Sequence, residues 1–193
     1  MPRLFVAVNL PDAIKDRIAA ISETLRKNAG PSTFRWSERD QYHVTLKFLG
    51  ETGDEKVSSV IECVREVSAK HRAFDLSLGS IGTFGEGARL KNVWVGLTGD
   101  VVSLRNLAEE LERELEPLGF PPEGRGYSPH ITIVRAGRET TLDERIRLEA
   151  ALRELDPLEE PFHVGTMELM KSRTLPEGAV YEALRRFALR ESS

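Results

Sequence analysis

The sequence contains very little cysteine. Cys63 is the single cysteine among 193 residues, so no disulfide bond can form within the chain. A zinc finger is excluded as well, because it needs at least two thiolate ligands. A low cysteine content is typical of proteins that work in a reducing compartment, and we therefore expect a cytoplasmic location.

Long apolar runs and an excess of positive charge are also missing. No run approaches the roughly 20 apolar residues that a membrane-spanning helix requires. The short apolar start at 4–10 is followed by Pro11 and Asp12, which favours a first strand over a signal peptide. The net charge is −4, so the chain lacks the basic field that grips long duplexes. A local basic pocket is still allowed, because overall charge says little about one cleft.

What the sequence does contain is an internal repeat. Residues 43–50 read HVTLKFLG and residues 130–137 read HITIVRAG, so that histidine, threonine and glycine coincide. Around these motifs, the spacing of apolar residues predicts the order strand, helix, strand, helix in each half of the chain. We predict a single α+β domain with two lobes facing each other and two related halves, roughly 1–88 and 89–193.

The end of the chain is predicted to form a hairpin. Residues 162–170 and 181–189 supply its strands, with a turn near the Pro-Glu-Gly sequence at 176–178. The second stretch has no clean period, so a helix is the alternative there.

The candidate chemistry lies on the two repeated strands. Alternation places His43 and Thr45 on one face of the first strand, and His130 and Thr132 on one face of the second. Two histidines can divide into one acid and one base near neutral pH, while two hydroxyls can bind non-bridging phosphate oxygens. This set suits in-line attack on a phosphodiester, and it needs no metal where the substrate is a strained 2′,3′-cyclic phosphate.

Residues beside the motifs are candidates for substrate contacts. Strict alternation puts Lys47 on the face of the first histidine, where it supplies positive charge, and turns Phe48 towards the core. Arg125 and Tyr127 lie in a Pro- and Gly-rich loop before the second motif, where they contact a ribose or base or are simply exposed. Trp94 is interpreted as a core residue, with base stacking as the alternative.

These residues resemble the paired His-x-Thr-x motifs of the 2H phosphoesterase superfamily. The similarity is closest to its RNA 2′,3′-cyclic phosphodiesterase branch, also called 2′-5′ RNA ligase (the LigT or ThpR type). It covers nearly the whole chain and includes four further segments: Arg3–Ala7, Phe34–Trp36, Val93–Gly96 and Gly178–Leu184.

The resemblance implies two lobes of antiparallel sheet, with helices on the outer faces and a central cleft. It implies hydrolysis of 2′,3′-cyclic phosphate ends of RNA, tRNA-derived ends among them, to 2′-phosphates without metal or cofactor. His43 would protonate the departing 3′ oxygen and His130 would activate water, while Thr45 and Thr132 would hold the phosphate. Arginine is common in this family at the place of Arg135, which is therefore a phosphate candidate although ideal alternation turns it away from Thr132.

Other functions stay open on the sequence alone. A related enzyme acting on small cyclic nucleotides or 2′-5′ oligonucleotides has the same motifs, and the size of the cleft would distinguish it. A non-catalytic binder of RNA ends needs a basic, aromatic cleft but no second histidine. The acidic chain has no heptad pattern, and we expect a monomer that does not bind membranes.

Overall fold

The computed structural model describes residues 3–124, 126–175 and 178–191. The strands within these residues are β1 (Arg3–Asn9), β2 (Arg35–Trp36), β3 (His43–Glu51), β4 (Phe74–Phe84), β5 (Asn92–Gly99), β6 (Ile131–Arg135), β7 (Pro161–Val164), β8 (Thr166–Leu175) and β9 (Gly178–Ala188). The α-helices are α1 (Asp12–Ala29), α2 (Asp54–Ser68), α3 (Val101–Leu115) and α4 (Leu142–Arg153).

The described strands form two antiparallel sheets. The first sheet has the order β3-β1-β8-β9 and the second has the order β2-β6-β5-β4-β7. This arrangement confirms the predicted α+β class. Each sheet takes strands from both halves of the chain, so the predicted repeat boundary near residue 88 does not separate the two sheets.

The helices bury the apolar stripes that the sequence predicts. α1 packs on α4, and α2 packs on α3. The buried stripe of α1 includes Ile14, Ile18, Ile21 and Leu25, and that of α3 includes Leu104, Leu107, Leu111 and Leu115. In the described part of the chain, no helix combines the length and apolar character needed to cross a membrane.

The last strands differ from the predicted hairpin in one respect. The stretch 162–170 is split at Gly165, so that β7 ends in the second sheet and β8 begins in the first. The two parts look like one strand in the sequence because only one residue, Gly165, separates them. The final stretch is a strand and not a helix, and β8 pairs with β9 as expected. Pro176 and Glu177, in the predicted turn, lie outside the described residues.

Candidate active site

Strand β3 carries a β-bulge directly after its His-x-Thr motif. Thr45 pairs with Ala7 of β1, whereas Lys47 pairs with the adjacent Val6, which leaves Leu46 as the extra residue. A bulge of this kind breaks the simple alternation of faces. Lys47 and Phe48, the two residues directly beyond Leu46, therefore lie on the faces opposite to those that strict alternation predicts.

The same bulge occurs in β6. Thr132 pairs with Trp94 of β5, whereas Val134 pairs with the adjacent Val93, which leaves Ile133 as the extra residue. The bulged residue again follows the threonine directly. The internal repeat therefore extends to an irregularity of the backbone.

The bulge in β3 exchanges the places of Lys47 and Phe48. Phe48 pairs with Phe5, which shares the face of the histidine, and it is 56% exposed. Lys47 is 1% exposed, and its Nζ donates to Glu112 Oε2 and to the carbonyl of Pro121, both at 2.7 Å. The prediction that Lys47 shares the histidine's face and that Phe48 lies in the core is wrong. The expectation that Lys47 contacts RNA loses its basis.

The bulge in β6 turns Arg135 towards the motif. Arg135 pairs with Asn92, and Asn92 lies two residues from Trp94 on the same face of β5. Since paired residues of antiparallel strands share a face, Arg135 lies on the face of Thr132. The opposite placement, which ideal alternation predicts, is wrong, and Arg135 stays a candidate contact for phosphate.

The two histidines are held in the same way. His43 Nδ1 donates to the carbonyl of Gln41 at 2.7 Å, and His130 Nδ1 donates to that of Ser128 at 2.8 Å. A carbonyl only accepts, so each Nδ1 bears the proton and each Nε2 is the nitrogen left for chemistry. In the first motif, Nε2 lies 3.1 Å from Thr45 Oγ1.

Aromatic rings enclose the first histidine. The centroid of His43 lies 4.9 Å from that of Phe5 and 5.2 Å from that of Tyr181, whose ring meets it edge-on. These neighbours fix the plane of the imidazole and shield it from water.

Aromatic rings also flank the second histidine. The His130 centroid lies 5.0 Å from Phe84 and 6.5 Å from Trp94. Trp94 pairs with Thr132, so it lies on the face of the motif and is only half-buried. The interpretation of Trp94 as a core residue is therefore wrong.

A glycine makes room for this tryptophan. A Cβ atom at Gly82, which pairs with Trp94 across β4 and β5, would lie 2.4 Å from the indole ring. Gly82 lies in a glycine-rich stretch, residues 79–87, whose first part belongs to β4 and whose last part belongs to the turn that follows. Trp94 Nε1 is buried and has no hydrogen-bond partner among the described residues.

The surroundings of His43 strongly change its pKa. Burial lowers the pKa of His43 to about 4, although its hydrogen bond to the Gln41 carbonyl favours the charged form. The positive charges of Arg135, His130 and Lys15 lower this pKa further. The structure therefore brings His130 and Arg135 within electrostatic reach of His43.

Lys15 is a neighbour of the site that sequence reasoning missed. It lies in the first turns of α1 and is 7% exposed, although it is a lysine. The available signal was its place beside Ile14 and one turn before Ile18, on the buried side of the helix. The positive charge of Lys15 acts on His43 and lowers its pKa.

The loop before the second motif is joined to the first strand. The Tyr127 hydroxyl donates to the carbonyl of Thr45 at 2.9 Å, and burial raises the pKa of Tyr127. Tyr127 therefore makes a structural contact between the two motifs. Arg125 lies outside the described residues. Among the described residues, no cluster of three or more His, Cys, Asp or Glu side chains could hold a metal ion.

The two His-x-Thr strands hold their histidines by the same type of hydrogen bond, and both strands lie in segments that are similar to known proteins. A model of the family described as LigT-like phosphoesterase matches residues 8–94 and again residues 96–181. The chain belongs to this family. Each matched segment contains one His-x-Thr strand, and the predicted resemblance and the predicted phosphoesterase class are confirmed.

Relatives within this family cover nearly the whole chain. The RNA 2′,3′-cyclic phosphodiesterase of Methanothermobacter thermautotrophicus is 29% identical over 97% of this chain and 98% of its own length. The RNA 2′,3′-cyclic phosphodiesterase of Archaeoglobus fulgidus is 30% identical over 96% of this chain and 99% of its own length. The crystal structure of Escherichia coli LigT with 3′-AMP has a TM-score of 0.76 at 26% identity, covering 98% of this chain and 99% of LigT.

Proposed function

We propose that this protein hydrolyses 2′,3′-cyclic phosphate ends of RNA to 2′-phosphates, with His43 and His130 as the acid and base. The observation that carries the proposal is the equivalence of the two histidines. Each has its Nδ1 fixed by a backbone carbonyl, which leaves Nε2 for proton transfer. Relatives named RNA 2′,3′-cyclic phosphodiesterase support this substrate.

The reaction is an in-line displacement at phosphorus. A water molecule attacks the phosphorus and gives its proton to His130, while the bond from phosphorus to O3′ breaks. O3′ takes a proton from His43, and the phosphate stays on O2′. Thr45 and Thr132 hold the non-bridging oxygens, and Arg135 offsets the negative charge that develops on them. These groups supply charge and protons, so we propose that no metal is required.

The lowered pKa of His43 adds a condition to this mechanism. At neutral pH the free protein holds His43 neutral, since its pKa is about 4, yet an acid must carry a proton. A bound phosphate offsets the nearby positive charges that lower this pKa. We propose that substrate binding raises the pKa of His43 and that the proton is taken up at that stage.

The reverse reaction uses the same groups. A 5′-hydroxyl in place of water would attack the cyclic phosphate and form a 2′-5′ bond as O3′ departs. The strained ring supplies the driving force, so no ATP is needed. Hydrolysis and ligation then differ only in whether water or a 5′-hydroxyl gives its proton to His130.

The test is hydrolysis of an oligoribonucleotide with a 2′,3′-cyclic phosphate end in excess EDTA. We expect His43→Ala and His130→Ala each to lower kcat by about 10²–10⁴-fold, and the wild type to release a 2′-phosphate. His163→Ala is the matched control, because His163 is exposed and bonded to Asp75 away from the motifs.

Two outcomes would contradict the proposal. Unchanged turnover in either motif variant would remove that histidine from the chemistry. Binding of the oligonucleotide without turnover by the wild type would instead favour a binder of RNA ends.

A further inference from the structure

Two arginines lie directly opposite each other at the edge of the second sheet. Arg35 of β2 pairs with Arg135 of β6, and Arg135 pairs in turn with Asn92 of β5. Paired residues share a face, so Arg35 lies on the face that carries Thr132. The Cβ atoms of such a pair are about 5 Å apart, and like charges at this spacing repel each other.

Nothing within the described residues compensates this pair of charges. Neither Arg35 nor Arg135 has an ion pair or side-chain hydrogen bond there, and both are exposed. Some other exposed arginines have such partners: Arg17 pairs with Glu160, and Arg173 pairs with Glu182. Two adjacent guanidinium groups without a carboxylate are a suitable site for a phosphate, which matches their planar donors.

The surroundings of Arg35 continue this positive surface away from the motifs. Arg35 lines an open cavity of about 600 Å³ where the chain leaves β6. The other residues lining it are Thr33, Ala136, Gly137, Arg138 and Glu139. Two arginines against one glutamate leave the lining with net positive charge. The cavity therefore offers room for more of a polyanionic chain next to the arginine pair.

The position of the pair relates it to the reacting phosphate. Arg135 is three residues beyond Thr132, about 7–10 Å along a bulged strand, and Arg35 is one strand farther out. In the first sheet the equivalent place after the bulge holds Phe48, an exposed aromatic ring. The phosphate backbone of bound RNA is therefore attracted to the second sheet, which carries the positive charge.

We propose that Arg35, acting with Arg135, binds the internucleotide phosphodiester next to the cyclic phosphate. This inference rests on the proposed function and narrows its substrate class to RNA ends of two or more nucleotides, in preference to cyclic mononucleotides. Arg135 contacts the reacting phosphate and its neighbour, whereas Arg35 contacts only the neighbour. Arg35 is thus a specificity residue and not a catalytic one.

The experiment compares two substrates for each variant. kcat/KM is measured for a trinucleotide ending in a 2′,3′-cyclic phosphate and for 2′,3′-cyclic AMP. Arg35→Ala should lower the ratio of the two values about 10-fold or more, and Arg35→Lys should lower it less. For the trinucleotide, the slope of log(kcat/KM) against the logarithm of the salt concentration should be shallower by about one in Arg35→Ala, because one phosphate contact is lost.

Arg185→Ala is the matched control. Arg185 is an exposed arginine on β9, the edge strand of the first sheet, and it pairs with Leu169 on the face away from Thr45. The control should keep the wild-type ratio. An unchanged ratio in Arg35→Ala, or an equal loss on both substrates, would overturn the inference.

A binding measurement separates this inference from the proposed function. The affinities of the trinucleotide 2′-phosphate and of 2′-AMP are measured for the wild type and Arg35→Ala, and they do not depend on turnover. A selective loss of trinucleotide affinity supports the arginine site even if the wild type fails to hydrolyse either cyclic substrate. Equal affinities of the two proteins for the trinucleotide would overturn it.

Discussion

Strands β3 and β6 are two versions of one structure with different surfaces. Both place an extra residue directly after the His-x-Thr motif, and both fix the histidine through the carbonyl two residues before it. Beyond the bulge they diverge: β3 presents Phe48 on the face of its histidine and buries Lys47, whereas β6 presents Arg135 on the face of Thr132 and buries Val134. The repeated backbone sets the geometry of the histidines, and the residues after the bulge decide which sheet carries charge.

The supports of the two histidines differ as well. Gln41, whose carbonyl holds His43, also donates through Nε2 to the carbonyl of Ala179 on β9. Ser128, which holds His130, lies in a loop that Tyr127 and Lys47 join to neighbouring elements. The first histidine is therefore anchored within its own sheet, and the second depends on contacts between the sheets.

The largest expected effect concerns Lys47, which has no charged counterpart in β6. Lys47→Met removes the donor for Glu112 and for the Pro121 carbonyl, and the loss of a buried partner should lower the free energy of unfolding by about 2–4 kcal/mol. Urea unfolding measures this change, with the exposed Lys91→Met as control. An unchanged midpoint would mean that the buried ion pair contributes nothing to stability.

The next largest effect is expected from Arg135, and it is compared with that of Phe48, which lies at the equivalent place in β3. Arg135→Ala should lower kcat/KM for a cyclic phosphate end by about 10–100-fold, since a charged hydrogen bond to phosphate is lost. Phe48→Ala at the equivalent place should change it only a few-fold, mainly through KM. Steady-state kinetics on one oligonucleotide tests both. Equal losses would show that charge is not what distinguishes the two strands.

An effect on the pH dependence of stability follows from the pKa of His43. It is about 4 in the folded protein and about 6.5 in an unfolded chain, so the folded state binds fewer protons between these values. Stability should therefore fall as the pH decreases from about 6.5 to 4. His43→Asn should make the free energy of unfolding less dependent on pH across this window, whereas His163→Asn serves as control. Equally steep curves for the wild type and His43→Asn would contradict this.

The smallest effect concerns the contact between the motifs. Tyr127→Phe removes the hydroxyl that donates to the Thr45 carbonyl, and it should cost about 1 kcal/mol of unfolding free energy. Thermal unfolding measures the change. Tyr181→Phe is the control, because the Tyr181 hydroxyl makes no hydrogen bond within the described residues. A loss no greater than that of the control would show that the contact is not stabilising.

Much of the fold was predictable because burial imposes regular periods on a sequence. The stripes of α1 and α3 and the repeat of His43 and His130 follow from spacing alone. The predictions for Lys47 and Phe48 were wrong because both rested on strict alternation, and the same assumption placed Arg135 on the face opposite to Thr132. A bulge has no composition signal at Leu46 or Ile133, which are ordinary strand residues.

The sequence by itself determined which residue types repeat and therefore which chemistry the chain can perform. Two histidines, two threonines and the family resemblance were available before any coordinate. Only the tertiary structure decided that Arg135 lies on the face of Thr132, that Lys47 leaves the face of His43 and that Arg35 lies beside Arg135. These outcomes depend on strand register, which is set by pairing between segments that lie far apart in the chain.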